Sequence, residues 1–255
     1  MSDNHPTDNM RLLLVVLAKN EEAQLKKTIH GLQAVCSPEN VAGMVILLAR
    51  MATGGCVRAA FALQNNDFSI PVKTVQQECD DLPACIKAVL NDSHNVSYIL
   101  CLASDYFLES VAIADLITYA DQDRGAIYKF SRALPGGRFS PHYHAVMVLL
   151  YRLFCAFIRV LYQCEITDPA FTVMIVPIQL FLSVRFSQNS LMCFPEWMYV
   201  LLRAKKNIVE IPAVNLPRTE MENSSSIATR LRHAAIAIRT RVLPVKKFLA
   251  LNTEI

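Results

Sequence analysis

Short, largely apolar runs recur along the first half of the chain, and each is followed by a stretch whose apolar residues return at helical spacing. Leu12 to Leu17 is the first such run. A strand with no polar alternation has to be buried on both faces, which happens in parallel sheets whose crossover helices cover both sides. Asn20 follows as an N-cap, with Glu21 and Glu22 in the first turn, where the helix dipole favours acids. Leu25, Ile29 and Leu32 then mark one helical face. The unit repeats as Met44 to Leu48 with Cys56 to Leu63, Ile70 to Val75 with Leu82 to Leu90, and Tyr98 to Leu102 with Val111 to Tyr119, before a strand from Gly125 to Tyr128. The alternation predicts an α/β fold with a mostly parallel, Rossmann-like sheet, right-handed crossovers and helices on both faces. Ligands of such sheets sit beyond the carboxyl ends of the strands, just after Leu17, Leu48, Leu102 and Tyr128 here.

The second half reads differently. Ala145 to Tyr162 forms a long apolar helix carrying Arg152 and Arg159 nearly on one face, Pro195 to Lys205 a second helix, and Ile208 to Ile211 a strand stopped by Pro212. Beyond Ser226, apolar residues Ile227, Leu231, Ala234, Ile238 and Leu243 approximate a helical stripe among six cations, Arg230, Arg232, Arg239, Arg241, Lys246 and Lys247. The expected organisation is a polar N-terminal tail at 1–10, a domain at 11–218 and a basic, amphipathic helical extension at 219–255. Only 18% of residues are charged, against about 25% in soluble domains, so some apolar surface is expected to meet a membrane or a partner. The charge-free run between Asp168 and Arg185 holds Pro169 and Pro177 and falls short of the ~20 residues of a spanning helix. The polar stretch Met1 to Met10 does not read as a signal peptide. A net charge of +3 is too small to argue for nucleic acid. The eight cysteines include no C-x-x-C pair, which suits buried free thiols in a reducing compartment.

Polar residues that follow the strands are the candidates for chemistry. Asn20 and Glu21 follow the first strand, where they can accept hydrogen bonds from a nucleoside or simply begin a helix. The second strand ends in Ala49-Arg50, and Gly54-Gly55 beyond it suggests a tight strand-to-helix turn. No G-x-G-x-x-G or Walker pattern is present, which leaves a dinucleotide-binding dehydrogenase unsupported. The fourth strand ends in Ala103-Ser104-Asp105, where one carboxylate can hold a divalent cation if phosphates and waters supply the other oxygens. Ser131-Arg132, Asp168, Glu196 and Arg218 complete the set. Arginine suits a diphosphate through its two parallel donors, although a lone charge more often belongs to a surface ion pair. His142 and His144, two apart, do not share a helix face, and two imidazoles alone are a weak candidate for a metal site.

In order and spacing these pieces resemble the family-2 glycosyltransferases, and among them the dolichol-phosphate mannosyltransferase-like branch that makes polyprenol-phosphate sugars. The likeness runs from about Arg11 to Arg218. It rests on the apolar strand leading into Asn20-Glu21-Glu22, Asp105 after the fourth strand, Ser131-Arg132 before Gly136-Gly137, Ile166 to Pro169, Pro195-Glu196, Glu210 to Pro212, and Arg218. The resemblance implies a GT-A-type fold, a nucleotide-diphosphate sugar donor, a divalent cation (Mg²⁺ or Mn²⁺), a polyprenyl or similar lipid-phosphate acceptor, and transfer of a hexose with inversion. It casts Asn20, Glu21, Ser104 and Glu196 around donor and sugar, Asp105 on the metal, and Arg132, Asp168 and Arg218 in the reacting region. A lipid acceptor would place the protein peripherally at the cytoplasmic face of a membrane or beside a membrane-embedded partner. The sequence departs from that pattern where Ala49 and Arg50 stand in place of paired aspartates, and where Ala103 replaces the first metal aspartate. Arg50 is placed to meet the donor diphosphate instead. These replacements favour a second reading, a degenerate homologue that serves as a binding or regulatory subunit.

Overall fold

A computed structural model describes residues 11–77, 81–91, 96–104, 110–122, 126–139, 145–169, 171, 173–187, 193–213 and 227–249. Strand β1 (Leu12–Ala18) is buried along its length, and its side chains alternate between the two layers of the domain. Leu12, Leu14 and Val16 pack with the helices α1 (Glu22–Val35), α2 (Gly54–Gln64) and α4 (Ser110–Gln122), whereas Leu13 and Val15 face the opposite layer. A strand sandwiched in this way gains about 1.5–3 kcal/mol for each large side chain removed from water, so no polar residue is tolerated on either side.

Beside β1 lie β2 (Val41–Leu48), β3 (Val72–Gln76) and β4 (Tyr98–Ala103), all parallel. Next come β5 (Ile127–Ser131), β6 (Met174–Pro177) and β7 (Ile208–Pro212), giving a seven-stranded sheet in the order β3-β2-β1-β4-β6-β5-β7. Strand β6 is inserted between β4 and β5 and runs antiparallel to both, while β5 and β7 are parallel. The carboxyl ends of all strands but β6 therefore share one rim. The expected mostly parallel sheet is present, and the antiparallel strand was not foreseen. Its segment reads as one apolar run, but Pro177, which lacks an N–H, ends β6 and a short helix α6 (Ile178–Ser183) follows at once. Strand β5 also lies further along than expected, reaching Ser131.

The second layer contains α3 (Leu82–Asn91), α5 (Ala145–Tyr162), α7 (Cys193–Arg203) and α8 (Ile227–Val242), followed by a 3₁₀ turn at Val245–Lys247. Helix α8 packs on α5 and α7 through Ile236, Ala237 and Thr240. Tyr162 of α5 donates to the Ala237 carbonyl at 2.8 Å. The chain then returns to the core, burying Phe248 and bridging Leu249 to Val184. The described cysteines, Cys36, Cys56, Cys85, Cys101, Cys155 and Cys164, are free thiols in buried or half-buried positions.

Candidate active site at the carboxyl rim of the sheet

Glu21 ties the end of β1 to the end of β4. One carboxylate oxygen accepts from the backbone N–H of Asn20 at 2.9 Å and of Lys19 at 3.3 Å, and from the Ser104 hydroxyl at 3.2 Å. Burial pushes this carboxyl up, but the amides and the Ser104 hydroxyl outweigh it and hold it below the ordinary carboxylate value. Helix α1 begins at Glu22 with Glu21 in the capping position and no side-chain cap. The expectation that Asn20 caps the helix is thus corrected: the backbone turn sends the Glu21 side chain back towards β4. Gly54 and Gly55 are likewise not a turn but the first residues of α2, which Thr53 caps. A Cβ on Gly55 would come within 2.6 Å of a Glu22 carboxylate oxygen, the far end of a half-exposed side chain that can move aside. Arg50 stands exposed just beyond β2.

A second cluster joins the ends of β5 and β7 to the segment before β6. Lys129 is fully buried in β5, directly across from Glu210 in β7. Its ammonium donates to the carbonyls of Asp168 at 2.7 Å and Phe130 at 2.9 Å, and to Glu210 at 3.4 Å. Burial lowers its pKa, against the opposing pull of Asp168 and Glu210. Glu210 in turn receives the backbone N–H groups of Thr167 and Asp168, at 2.6 and 3.0 Å, and the Thr167 hydroxyl at 2.8 Å. The Thr167 proton is thereby committed, so in the 2.7 Å contact between hydroxyls Ser131 is the donor.

Arg132 and Asp168 form a buried, forked ion pair: Nε meets one oxygen at 2.9 Å and Nη2 the other at 3.2 Å, while the Arg132 backbone N–H adds a 3.0 Å bond. The Tyr151 hydroxyl of α5 bonds both partners. The guanidinium also lies over the rings of Phe171, Tyr151 and Phe139, at 4.3, 4.6 and 5.0 Å. Burial raises the Asp168 carboxyl, but Arg132, Lys129 and the Tyr151 hydroxyl together bring it below the usual range. Burial raises the Tyr151 phenol well above its ordinary value, so it remains a donor at neutral pH.

The loop after Arg132 needs its glycines. Gly136 has a φ of +89°, and a Cβ on Gly137 would stand 2.6 Å from the Ser131 carbonyl oxygen. This loop walls an open cleft of 580 Å³ that Arg132, Arg138 and Arg152 line, with no carboxylate among its described lining residues. Arg152 comes from α5, whose outward face exposes Val146, Leu149, Leu150, Leu153, Phe157 and Val160 at helical spacing. By length and composition α5 is apolar enough to cross a membrane. Its inner face, however, carries Cys155, Ile158 and Tyr162 into the core, which sets the helix along the surface of the domain.

Among the expected site residues, Asn20, Glu21, Arg50, Ser104, Arg132 and Asp168 lie along the carboxyl rim, and Asp105 and Arg218 fall outside the described residues, as do His142 and His144. Glu196, near the start of α7, is buried with both oxygens accepting from Ser187, one from its backbone N–H at 2.7 Å and the other from its hydroxyl. Sequence reasoning missed Lys129, Tyr151 and Arg138. A lone lysine in an apolar strand was a signal for the first, and the other two gave none. Among the described residues no three His, Cys, Asp or Glu side chains converge as a metal site, and Glu21 is already bound by the chain's own donors.

An open sheet with one inserted antiparallel strand and its polar residues gathered at the carboxyl rim defines the chain as a GT-A-type, glycosyltransferase-like fold. No family model matches the chain, and no curated protein matches it in sequence. Among solved structures it resembles glucosyl-3-phosphoglycerate synthase from Mycobacterium tuberculosis in complex with Mn²⁺, UDP and phosphoglyceric acid, with a TM-score of 0.67 and 15% identity over 92% of this chain and 80% of that one. The same enzyme with Mn²⁺, UDP-glucose and phosphoglyceric acid gives a TM-score of 0.66 at 15% identity, covering 92% and 81%. A further mycobacterial protein gives 0.62 at 14% identity, covering 94% and 75%. At these identities the likeness is one of fold.

Proposed function

We propose that the chain is an inverting glycosyltransferase of the dolichol-phosphate mannosyltransferase-like kind, moving a hexose of the mannose or glucose class from a nucleotide-diphosphate sugar to a polyprenyl phosphate or similar lipid-linked acceptor. The observation that carries this reading is the cleft of Arg132, Arg138 and Arg152 beside the exposed apolar stripe of α5. A phosphate in that cleft meets arginines and backbone, while a hydrocarbon tail finds Leu149 and Leu153 on either side of Arg152 along the helix. The donor belongs at the ends of β1, β2 and β4, near Asn20, Glu21, Arg50 and Ser104, with Arg218 on the phosphates and Glu196 supporting the sugar side from α7. An acceptor phosphate oxygen is already anionic. It attacks the anomeric carbon from the side opposite the diphosphate, the carbon–diphosphate bond breaks, and the pair of electrons leaves with the nucleoside diphosphate. The demand on the protein is mainly charge neutralisation at phosphates, which arginines supply.

A divalent cation, as the neighbours hold with UDP, would rely on Asp105 and on the donor's own oxygens, and it would supply further neutralisation of the leaving diphosphate. We place the protein peripherally at the cytoplasmic face of a membrane, a reading that the α5 stripe and the free thiols among the described cysteines support. A membrane-embedded partner at the same face is the other form of that attachment. Ala49, Arg50 and Ala103, together with the commitment of Glu21 to the chain's own donors, support the second reading, a binding or regulatory subunit.

Calorimetry with GDP- and UDP-hexoses, with and without Mn²⁺, separates the two. The transferase reading expects binding that weakens in Asp105→Ala, and transfer to polyprenyl phosphate in vesicles whose acceptor KM rises at least tenfold in Arg152→Gln with donor affinity unchanged. No nucleotide binding at millimolar concentration overturns it. Transfer to a soluble phosphate acceptor alone overturns the lipid acceptor and keeps the enzyme.

A further inference from the structure

A second cleft lies at the other rim of the sheet. It has a volume of 740 Å³ and reaches Ile208, the first residue of β7, whereas the Arg132 loop adjoins the last, Pro212. Its walls are the ends of α5, α7 and α8, and they bring together Arg203, Lys205, Lys206 and Arg241 against a single acid among the described lining residues, Glu165. Arg241 donates through Nε to the Leu161 carbonyl at the end of α5, at 3.0 Å, and Arg203 donates to the Thr240 and Arg241 carbonyls at the end of α8. These bonds fix both guanidinium groups at the wall, and each has further N–H donors beyond them.

The helix stops point the same way. Helices α5 and α7 end in the same motif: Gln163 and Cys164 donate back to Val160 and Arg159, as Lys205 and Lys206 do to Leu202 and Leu201. The left-handed residue of each stop, Gln163 and Lys205, has φ +52°. Glycine is the favoured residue there, and a side chain is strained. Both of these strained positions open on the cleft. Sequence neighbours of the cleft are apolar and outward, with Val160 79% and Val242 76% exposed.

We propose that this cleft binds the phosphate headgroup of an anionic phospholipid, away from the reacting rim, and so fixes how the domain lies on the bilayer. The cations meet the phosphate, and the acyl chains leave past Val160 and Val242. The inference rests on the membrane placement given above and adds to it a lipid site with no part in transfer.

The test is sedimentation of the full chain with phosphatidylcholine vesicles, with and without phosphatidylglycerol, comparing wild type with Lys205→Gly and with Lys205→Gly/Lys206→Gln. Wild type is expected to bind both vesicles and to favour the anionic ones by about fivefold for each lysine. Lys205→Gly loses about fivefold of that preference and the double variant about fivefold more, while both keep their affinity for neutral vesicles. Lys205→Gly relieves the left-handed backbone, so its melting temperature rises and misfolding does not explain the loss. Equal binding of wild type to the two vesicles overturns the proposal and leaves membrane attachment standing; no binding to either overturns both. Saturable binding of glycerol phosphate in solution, without a vesicle preference, overturns it in favour of a soluble ligand.

Discussion

Asp168 holds three groups through one carboxylate: the Arg132 backbone N–H, the Arg132 guanidinium and the Tyr151 hydroxyl. Asp168→Asn keeps the shape but leaves a buried guanidinium without its counter-charge, and losses of about 3–5 kcal/mol follow when one partner of such a pair is removed. Urea unfolding is expected to show a loss in that range, with transfer falling and the acceptor KM rising alongside it because the wall of the arginine cleft moves. Asp168 was a candidate in the sequence, as the acid that follows the long helix within Ile166 to Pro169. Its partner Tyr151 was not, because the contact spans 17 residues and a tyrosine in an apolar helix reads as core. Glu21 was visible as a residue but not in its direction, which is set by the backbone turn at Asn20 and by Ser104, 83 residues away.

At the scale of elements, α5 is apolar on both faces. The inner one is spent on the core, and the outer one is left in water, with Leu149 and Leu153 each 58% exposed. Exposed substitutions change stability by roughly 0.5 kcal/mol or less, so Leu149→Glu/Leu153→Glu is expected to melt near wild type while losing attachment to neutral vesicles by at least tenfold. Unchanged attachment in that variant would remove α5 from the membrane face. The bounds of α5 were legible from the long apolar run, Ala145 to Tyr162. Strand β6 was not, because four residues ending at a proline carry no period of their own and are recognised only through the strands on either side. Strand β2 begins at Val41, ahead of the apolar run: Gly43 interrupts the pattern, and a bulge at Ala42 shifts the register between Leu12 and Leu13.

For the whole molecule, the response to acid separates the α8 layer from the active rim. His233 on α8 is held down to about 4 by burial and by neighbouring Arg232. Unfolded chains take up that proton below about 6.5, so stability is expected to fall as pH drops from about 6.5 towards 4, by about 2–3 kcal/mol in all. The carboxyls of Glu21 and Asp168, both held below their ordinary values, lose their contribution only at more acid pH, as pH falls through their lowered folded values. Denaturant midpoints at pH 7 and 4.5 check this, and His233→Gln is expected to flatten the upper part of the slope. The sheet itself was readable because its inner strands β1, β2 and β4 are unbroken apolar runs. The active rim was readable only as a set of strand ends. Lys129 has one more consequence. A sheet edge of aliphatic residues can slide by two positions at little cost, but the ammonium finds its three acceptors in a single alignment of β5 with β7 and with the Thr167–Asp168 segment. It works as a key that turns in one lock, so Ser131, Arg132 and the glycine loop beyond them arrive at the reacting edge in only one phase.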